Sequence, residues 1–299
     1  MVDKQKTIDK SVTVSGTGLH TGQLGQITMH SAPENHGIKF RRVDIESKPI
    51  IDADINLVVS TDRGTTLSKN GYSLYTIEHL LAAFMGLGVD NVMIDVDMEE
   101  IPIKDGSSIH FINAIKEAGI VEQKANRKYI EITEPISYII PDKNIEMLIE
   151  PAEKFSATVT IDFEAEILGK QIATLDDINK FESEIAPCRT FVFLHELEFL
   201  LKNNLIKGGD LNNAIVFINR AISQEELDNL AELFNKPKVK VKPNGILNNL
   251  DMHFSNEPAR HKLLDVIGDL ALLGKPLKGK ITASRPGHKA NTEFGQKNI

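Results

Sequence analysis

Glu257 to Leu273 (EPARHKLLDVIGDLALL) limits what this chain can fold into more than any other segment. Ser255 or Asn256 can cap it and Pro258 suits a first helical turn, so it reads as a helix. At about 100° per residue, His261 and Asp265 lie about 40° apart on one face, and Asp269 lies about 80° from His261 on the same side. Leu263, Leu264, Val266, Ile267, Leu270, Leu272 and Leu273 surround this polar row. They leave little room for an ordinary exposed face. A neutral imidazole and a carboxylate one turn apart can grip a single divalent ion, with the further carboxylate behind them. The competing reading is a solvent face that carries a His/Asp pair.

A third ligand has to come from elsewhere, and the other strong helical pattern supplies one. Thr76 to Met85 (TIEHLLAAFM) has apolar residues at 77, 80, 81 and 84, with Gly86 and Gly88 closing it. Glu78 and His79 stand there among Ile77, Leu80, Leu81 and Phe84, where an uncompensated charge is costly to bury. If His79 completes a tetrahedral catalytic zinc site, Glu78 projects about 100° away, a direction that suits a general base better than a ligand. Two half-sites from two parts of the chain would then meet across a cleft.

The remaining pattern consists of short β-like runs broken by helices. Ser11 to Ser15, Gln26 to His30, Ile38 to Val43, Ile55 to Ser60 and Asn91 to Asp97 read as strands. A helix from Ser107 or Ser108 to Ala118 has a serine at its N-cap and Gly119 after its end. The polar stretch Glu122 to Lys128 (EQKANRK) is the best linker candidate. Beyond it, strands at Tyr129 to Thr133, Ile145 to Glu150 and Phe155 to Phe163 lead to helices near His195 to Asn203 and Gln224 to Phe234. The long helix and a strand at Lys280 to Ser284 follow, and the polar tail from Asn291 to Ile299 reads as frayed. The expectation is an α+β protein of two similar domains, 1–124 and 125–299, each a β-sheet layered with helices, although no repeat shows in the sequence. A length of 299 residues is enough for two such cores.

Composition removes other classes. No apolar run nears the roughly 18 residues of a membrane helix. The charged N-terminus lacks the apolar core of a secretory signal, and the one cysteine, Cys188, cannot form an internal disulfide, so a cytoplasmic protein is expected. A net charge of −8 argues against sequence-independent binding to nucleic acid and leaves any anionic ligand to a few local cations. Among the nine histidines, His30, His36, His110, His195 and His253 have no patterned neighbour and are set aside. Arg285-Pro286-Gly287-His288 places a histidine just after a strand, sited to protonate a leaving amine. Ser15 to Gly22 (SGTGLHTG) holds His20 between glycines, without the GK[ST] ending of a phosphate loop.

Together SGTGLHTG, TIEHLLAA from Thr76, IPIKDGSS from Ile101, CRTFVF from Cys188, HKLLDVIGD from His261 and RPGH from Arg285 closely resemble the zinc-dependent UDP-3-O-acyl-N-acetylglucosamine deacetylases of lipid A synthesis. The match runs in order over nearly the whole chain. The resemblance implies two α+β domains with the active site in the cleft between them. It implies one Zn2+ per chain on His79, His261 and Asp265, Glu78 as general base, and His288, oriented by Asp269, as general acid or oxyanion-stabilising cation. Thr190 is implied as an oxyanion donor, and Lys262, Phe191, Phe163, Lys143 and His20 as substrate contacts. Leu197, Ile206, Ala214 and Val216 are implied as the lining of an acyl-chain passage, although core packing would satisfy these apolar residues equally well.

The implied substrate is a UDP-linked acylated glucosamine and the implied product acetate, with a monomer expected, no nucleic acid and no membrane span. One departure is Lys289, which follows the Gly-His pair where the family usually has a small residue; an extra cation there is expected to lower the pKa of His288. Some family members continue into a fused hydroxyacyl-carrier-protein dehydratase, and this chain is open to being the deacetylase part of such a fusion. Two other readings stay open. One is a zinc hydrolase acting on another acylated sugar; the other is a non-catalytic sugar-nucleotide or lipid-binding module, which would need neither Glu78 nor His288.

Overall fold

The computed structural model of the protein describes residues 3–203, 207–234, 238–248 and 250–299. The first half runs β1 (Lys4–Ile8), β2 (Val12–Thr17), β3 (Leu24–Ser31), β4 (Ile38–Arg42), β5 (Ile50–Asp52), β6 (Val58–Ser60), β7 (Thr66–Lys69), β8 (Tyr72–Leu74), α1 (Glu78–Leu87), β9 (Val92–Val96), α2 (Ile109–Ala118) and β10 (Ile120–Asn126). The second runs β11 (Ile130–Glu131), β12 (Ile136–Ile140), β13 (Ile145–Glu150), β14 (Ser156–Asp162), β15 (Lys170–Leu175), α3 (Phe181–Glu184), β16 (Phe191–Phe193), α4 (Leu194–Lys202), β17 (Ile215–Phe217), α5 (Gln224–Leu233), α6 (Glu257–Leu270), β18 (Leu277–Lys278), β19 (Lys280–Ser284) and α7 (His288–Asn298).

Two five-stranded sheets carry the fold, in the orders β2-β3-β9-β4-β5 and β12-β13-β19-β14-β15. Each has its single parallel pairing at the same place, β4 with β9 and β14 with β19. A hairpin cannot close a parallel pair, so each pairing demands a long crossover. The two crossovers carry most of what distinguishes the halves: the small β6-β7-β8 sheet in the first, and β16, α4, β17 and α5 in the second. In both halves a buried helix precedes the central strand (α1 before β9, α6 before β19) and another follows it (α2, α7). The chain is therefore two similar α+β units, a likeness that lives in strand order.

Alternation fixes which face of each sheet is covered: Val92, Ile94 and Val96 of β9 are buried, as are Ala157, Val159 and Ile161 of β14, with partly exposed residues between. The two units meet through α1 and α6; α6 also packs on β14 and β15, α2 on β2, and α7 on α6 and β12. One apolar core, with Phe40, Phe84, Phe111, Phe181 and Phe294 fully buried, runs through both units. A second, smaller core of Leu194, Leu197, Leu211, Val216, Leu227 and Leu230 holds the insertion of the second unit together.

Several sequence expectations need correction. Ile55 to Leu57 is a 3-10 turn, because the Asp54 carboxylate accepts from the Asn56 amide and offers the backbone a local alternative to a strand; only Val58–Ser60 is extended. Ser108 does not cap α2 with its side chain; its hydroxyl donates to the His79 carbonyl at 2.7 Å. The stretch read as a linker is strand through Asn126, paired with β1. The tail is not frayed but forms α7, in which Asn291, Thr292, Phe294 and Gly295 are buried and Gln296 donates to the Ile55 carbonyl at 2.7 Å.

Candidate metal centre and active site

The start of α1 meets the flank of α6. Gly268 makes this possible, since a methyl group there would stand 2.1 Å from the Glu78 carbonyl oxygen. The polar row of α6 is consequently no solvent face: His261 is 2% exposed, Asp265 1% and Asp269 0%. His79 and Glu78 are buried as well.

His79, His261 and Asp265 offer ligand atoms that all lie within 4.8 Å of one another, and together they could hold a metal ion. Asp265 Oδ1 lies 3.5 Å from His261 Nε2 and 3.8 Å from His79 Nε2, and the two rings stand edge to face at 5.0 Å. These separations are too long for hydrogen bonds, and Oδ1 has no hydrogen-bond partner although it is buried. Atoms that share an ion at about 2 Å each sit roughly 3.4 Å apart, so the spacing fits. The protonation states fit too. Burial, then His261, pushes His79 down to about 3. Burial lowers His261 as well. For Asp265 burial works upward, but Lys262, His261, His288 and His79 outweigh it and hold the carboxyl below its usual range. Two neutral imidazoles and an anion therefore face one point. The His261 ring is fixed from behind by the Cys188 carbonyl, 3.2 Å from Nδ1.

Glu78 is lifted to about 7, mainly by burial, with Asp269 and Asp265 adding to it and His288 opposing. Its Oε2 accepts the Thr65 amide at 3.1 Å. His288 shows the reverse balance: burial would lower it, yet Asp269, Asp265 and Glu78 raise it to about 9. It is a cation at neutral pH, with Nδ1 2.9 Å from Asp269 Oδ2 and Nε2 4.0 Å from Asp265 Oδ2. The lowering expected from Lys289 is absent because that side chain points away to Glu293, 3.9 Å distant, and is 65% exposed. His288 also lies at the first turn of α7, beyond the loop.

These groups open into a cavity of about 690 Å³ whose wall includes Glu78, His79, His261, Asp265, Lys262, His288, Thr190, His20, Phe163 and Phe191. Lys262 Nζ donates to Asp265 Oδ2 at 2.8 Å and stands 5.8 Å from the Phe191 ring. Burial works to lower this lysine, but Asp265, Asp269 and Glu78 raise it above the usual value. Phe163 meets Phe191 edge to face at 5.4 Å. Leu197, Ala214 and Val216 extend the apolar wall, joined by Val192, Phe199 and Leu200. Asp269 sits behind His288, and Lys143 is exposed on a 3-10 turn after β12, away from the cavity wall. Ile206 lies outside the described residues.

Several contributors had no signal in the sequence. Glu100, fully buried, accepts from the His20 and Thr21 amides and both hydroxyls of Thr21 and Thr76, at 2.8 to 3.1 Å. It ties the His20 loop to Thr76, a β-branched residue held at φ 57° just before α1. Arg189, next to Thr190, is locked to buried Glu257 at 2.9 Å. His195, set aside above, lines the cavity, bonded to Asn219 at 2.8 Å.

The chain matches the family described as UDP-3-O-acyl N-acetylglycosamine deacetylase over residues 5–235 and 235–298. It is 45% identical over 293 residues to the bifunctional enzyme LpxC/FabZ of Bacteroides thetaiotaomicron, covering 98% of this chain and 64% of that protein. The bifunctional enzyme LpxC/FabZ of Porphyromonas gingivalis is 44% identical, with 99% and 64% covered, so the chain spans under two thirds of these relatives. The UDP-3-O-acyl-N-acetylglucosamine deacetylase of Saccharophagus degradans is 39% identical, with 97% of this chain and 88% of that protein covered. With the motifs, the doubled fold and the buried ligand group in agreement, the chain belongs to the UDP-3-O-acyl N-acetylglycosamine deacetylase family.

Proposed function

We propose that the protein is a zinc-dependent amidohydrolase that removes the N-acetyl group of UDP-3-O-(3-hydroxyacyl)-N-acetylglucosamine, a committed step of lipid A biosynthesis in the cytoplasm. One observation carries this reading: three possible ligands, a carboxyl group poised near neutrality and a buried imidazolium converge on one cavity. The names of the relatives support the substrate. One Zn2+ per chain, held by His79, His261 and Asp265, would supply Lewis acidity that polarises a carbonyl group and eases the ionisation of water.

The other roles fall to the chain itself. Glu78 takes a proton from the water that attacks the acetamide carbon. Thr190 donates to the oxyanion as it develops. His288, kept cationic by Asp269, protonates the glucosamine nitrogen as the carbon–nitrogen bond breaks. The water oxygen leaves in acetate and the sugar keeps a free amine. Lys262 suits an anionic part of the substrate, with Lys143 as a more distant cation; Phe163 and Phe191 offer flat faces, and His20 a polar edge. Leu197, Ile206, Ala214 and Val216 suit the acyl chain. The two units, taken as domains 1–124 and 125–299, act as one monomer without nucleic acid or membrane span.

Metal analysis combined with an acetate-release assay on the UDP-linked acyl sugar tests this. Chelation is expected to abolish release and zinc to restore it, while a nucleotide-free acylated sugar turns over far more slowly. Equal rates on the two sugars would mean a zinc hydrolase of another specificity, and full release without metal would refute the reading. The match to bifunctional relatives favours a second reading, that the chain is the deacetylase part of a fusion with a dehydratase; the mass of the native polypeptide decides it.

A further inference from the structure

Thr65 stands on the turn that enters β7, in the small sheet peculiar to the first unit, and is fully buried. It touches Glu78 directly and reaches His288 through Asp269. Its amide donates to Glu78 Oε2 at 3.1 Å, and its hydroxyl donates to Asp269 Oδ1 at 2.5 Å. The second bond joins residues 204 apart in the chain and crosses from one unit to the other. Asp269 Oδ2 takes the two remaining donors, His288 Nδ1 at 2.9 Å and Asn291 Nδ2 at 2.8 Å. A carboxylate pivots about its Cβ–Cγ bond unless both oxygens are engaged. With Oδ1 tied to Thr65, the plane is set and Oδ2 stays aimed at the imidazole.

We infer that Thr65 is a positioning residue, whose hydroxyl fixes the Asp269 carboxylate so that His288 is held toward the cavity while its amide fixes Glu78. The role in turnover rests on the deacetylase reading; the geometric role does not. A turn that is merely well packed would need the shape of threonine, whereas a positioning hydroxyl needs only the oxygen. Partners that orient such groups from behind typically change rates by about 10- to 100-fold when lost.

The test compares Thr65→Val, which keeps the shape, with Thr65→Ser, which keeps the oxygen. Valine is expected to lower kcat by about 10- to 100-fold with KM changed less than about threefold and metal content per chain unaltered, and serine to recover to within about threefold of the unsubstituted enzyme. The proton NMR signal of His288 Nδ1–H, which reports the bond to Asp269 without turnover, is expected to move or broaden with valine and to return with serine. A valine variant with native kcat and a native signal overturns the inference, and so does a serine variant as impaired as valine. If Thr65→Val does not fold, Thr65→Ser and Thr65→Ala differ by the same oxygen: serine at least tenfold faster supports the role, and equal rates overturn it. Absence of acetate release from the unsubstituted enzyme would sink the activity reading, while the NMR comparison would still decide whether Thr65 positions His288.

Discussion

Replacing Gly268 by alanine adds one methyl group to the middle of the seam between the units. In an exposed helix this change stabilises by about 1 kcal/mol, because glycine is the poorer helix former. Here the new carbon would lie 2.1 Å from the Glu78 carbonyl oxygen, 2.8 Å from its carbon and 3.0 Å from its Cα. Ordinary contact begins at 3.4 Å, so α1 and α6 must part by more than an ångström at this point. No side chain can swing aside, since the obstacle is backbone. Overpacking of this kind costs about 1–3 kcal/mol, which leaves a net loss of about 0–2 kcal/mol after the gain in helix propensity. At roughly 2–4 °C per kcal/mol, the melting temperature falls by no more than about 8 °C. The effect on the site is larger in proportion, because the displaced carbonyl belongs to the residue beside His79, whose Nε2 lies only 3.8 Å from Asp265. A misplacement of about 1 Å costs on the order of 100-fold in rate. Gly268→Ala is therefore expected to melt close to the native temperature, to lose metal to a chelator far sooner, and to turn over about 100-fold more slowly. Differential scanning fluorimetry, metal analysis under chelator titration and acetate release read the three quantities. A variant that melts higher, keeps its metal and turns over normally would show that the close approach of the helices does not set the site.

Two further outcomes follow from the geometry. Glu78→Ala is expected to keep one metal per chain and to lose about 10²- to 10⁴-fold in turnover, the range for a general base; loss of the metal would make Glu78 a ligand instead. Asp105, where burial works upward but bonds from His110 and Ser107 outweigh it, is held down at about 2 from an ordinary 3.8. Because the folded value is depressed, its contribution is present above about pH 4 and disappears as pH falls toward 2. With its side chain 33% exposed, about 1 kcal/mol is expected after allowance for solvent screening. Asp105→Asn should therefore lower stability to urea at pH 7 and leave it unchanged near pH 2; an equal loss at both would refute the assignment.

The elements legible in the sequence are those whose apolar positions repeat with the right period. β13 and β19 have the bounds their patterns give, and α1 and α6 were visible because His79 and the 261-265-269 row interrupt strongly apolar helices. α7 was illegible for the opposite reason: Phe294 and Ala290 are its buried apolar residues, while Asn291 is buried against Asp269 of α6 and Gly295 against Ile55 and Leu270. The candidate site divides the same way. Residues on the two helices announce themselves by spacing. Thr65, Glu100 and Ser108 do not, because the partners that give them meaning lie 204, 80 and 29 residues away. The N-cap serine is instructive, since the rule that placed it at a helix start was right about position and wrong about the bond: its hydroxyl accepts no N–H from its own helix and donates to the His79 carbonyl instead.

The doubled fold repeats one acidic feature and uses it in two different ways. Each unit begins its buried helix with a glutamate, Glu78 in α1 and Glu257 in α6, and both are shielded from solvent. The two glutamates stand at matching places, each at the first position of the helix that precedes a central strand. The corner at Glu257 is closed by Arg189, whose guanidinium lies 2.9 Å from the carboxylate and would repel any divalent cation approaching it. The same arginine anchors the strand that delivers Thr190 and Phe191 to the other corner. The glutamate that begins α6 thus serves as a mooring and the one that begins α1 faces the cavity, while the proposed metal takes its ligands from both helices and so needs the two units together.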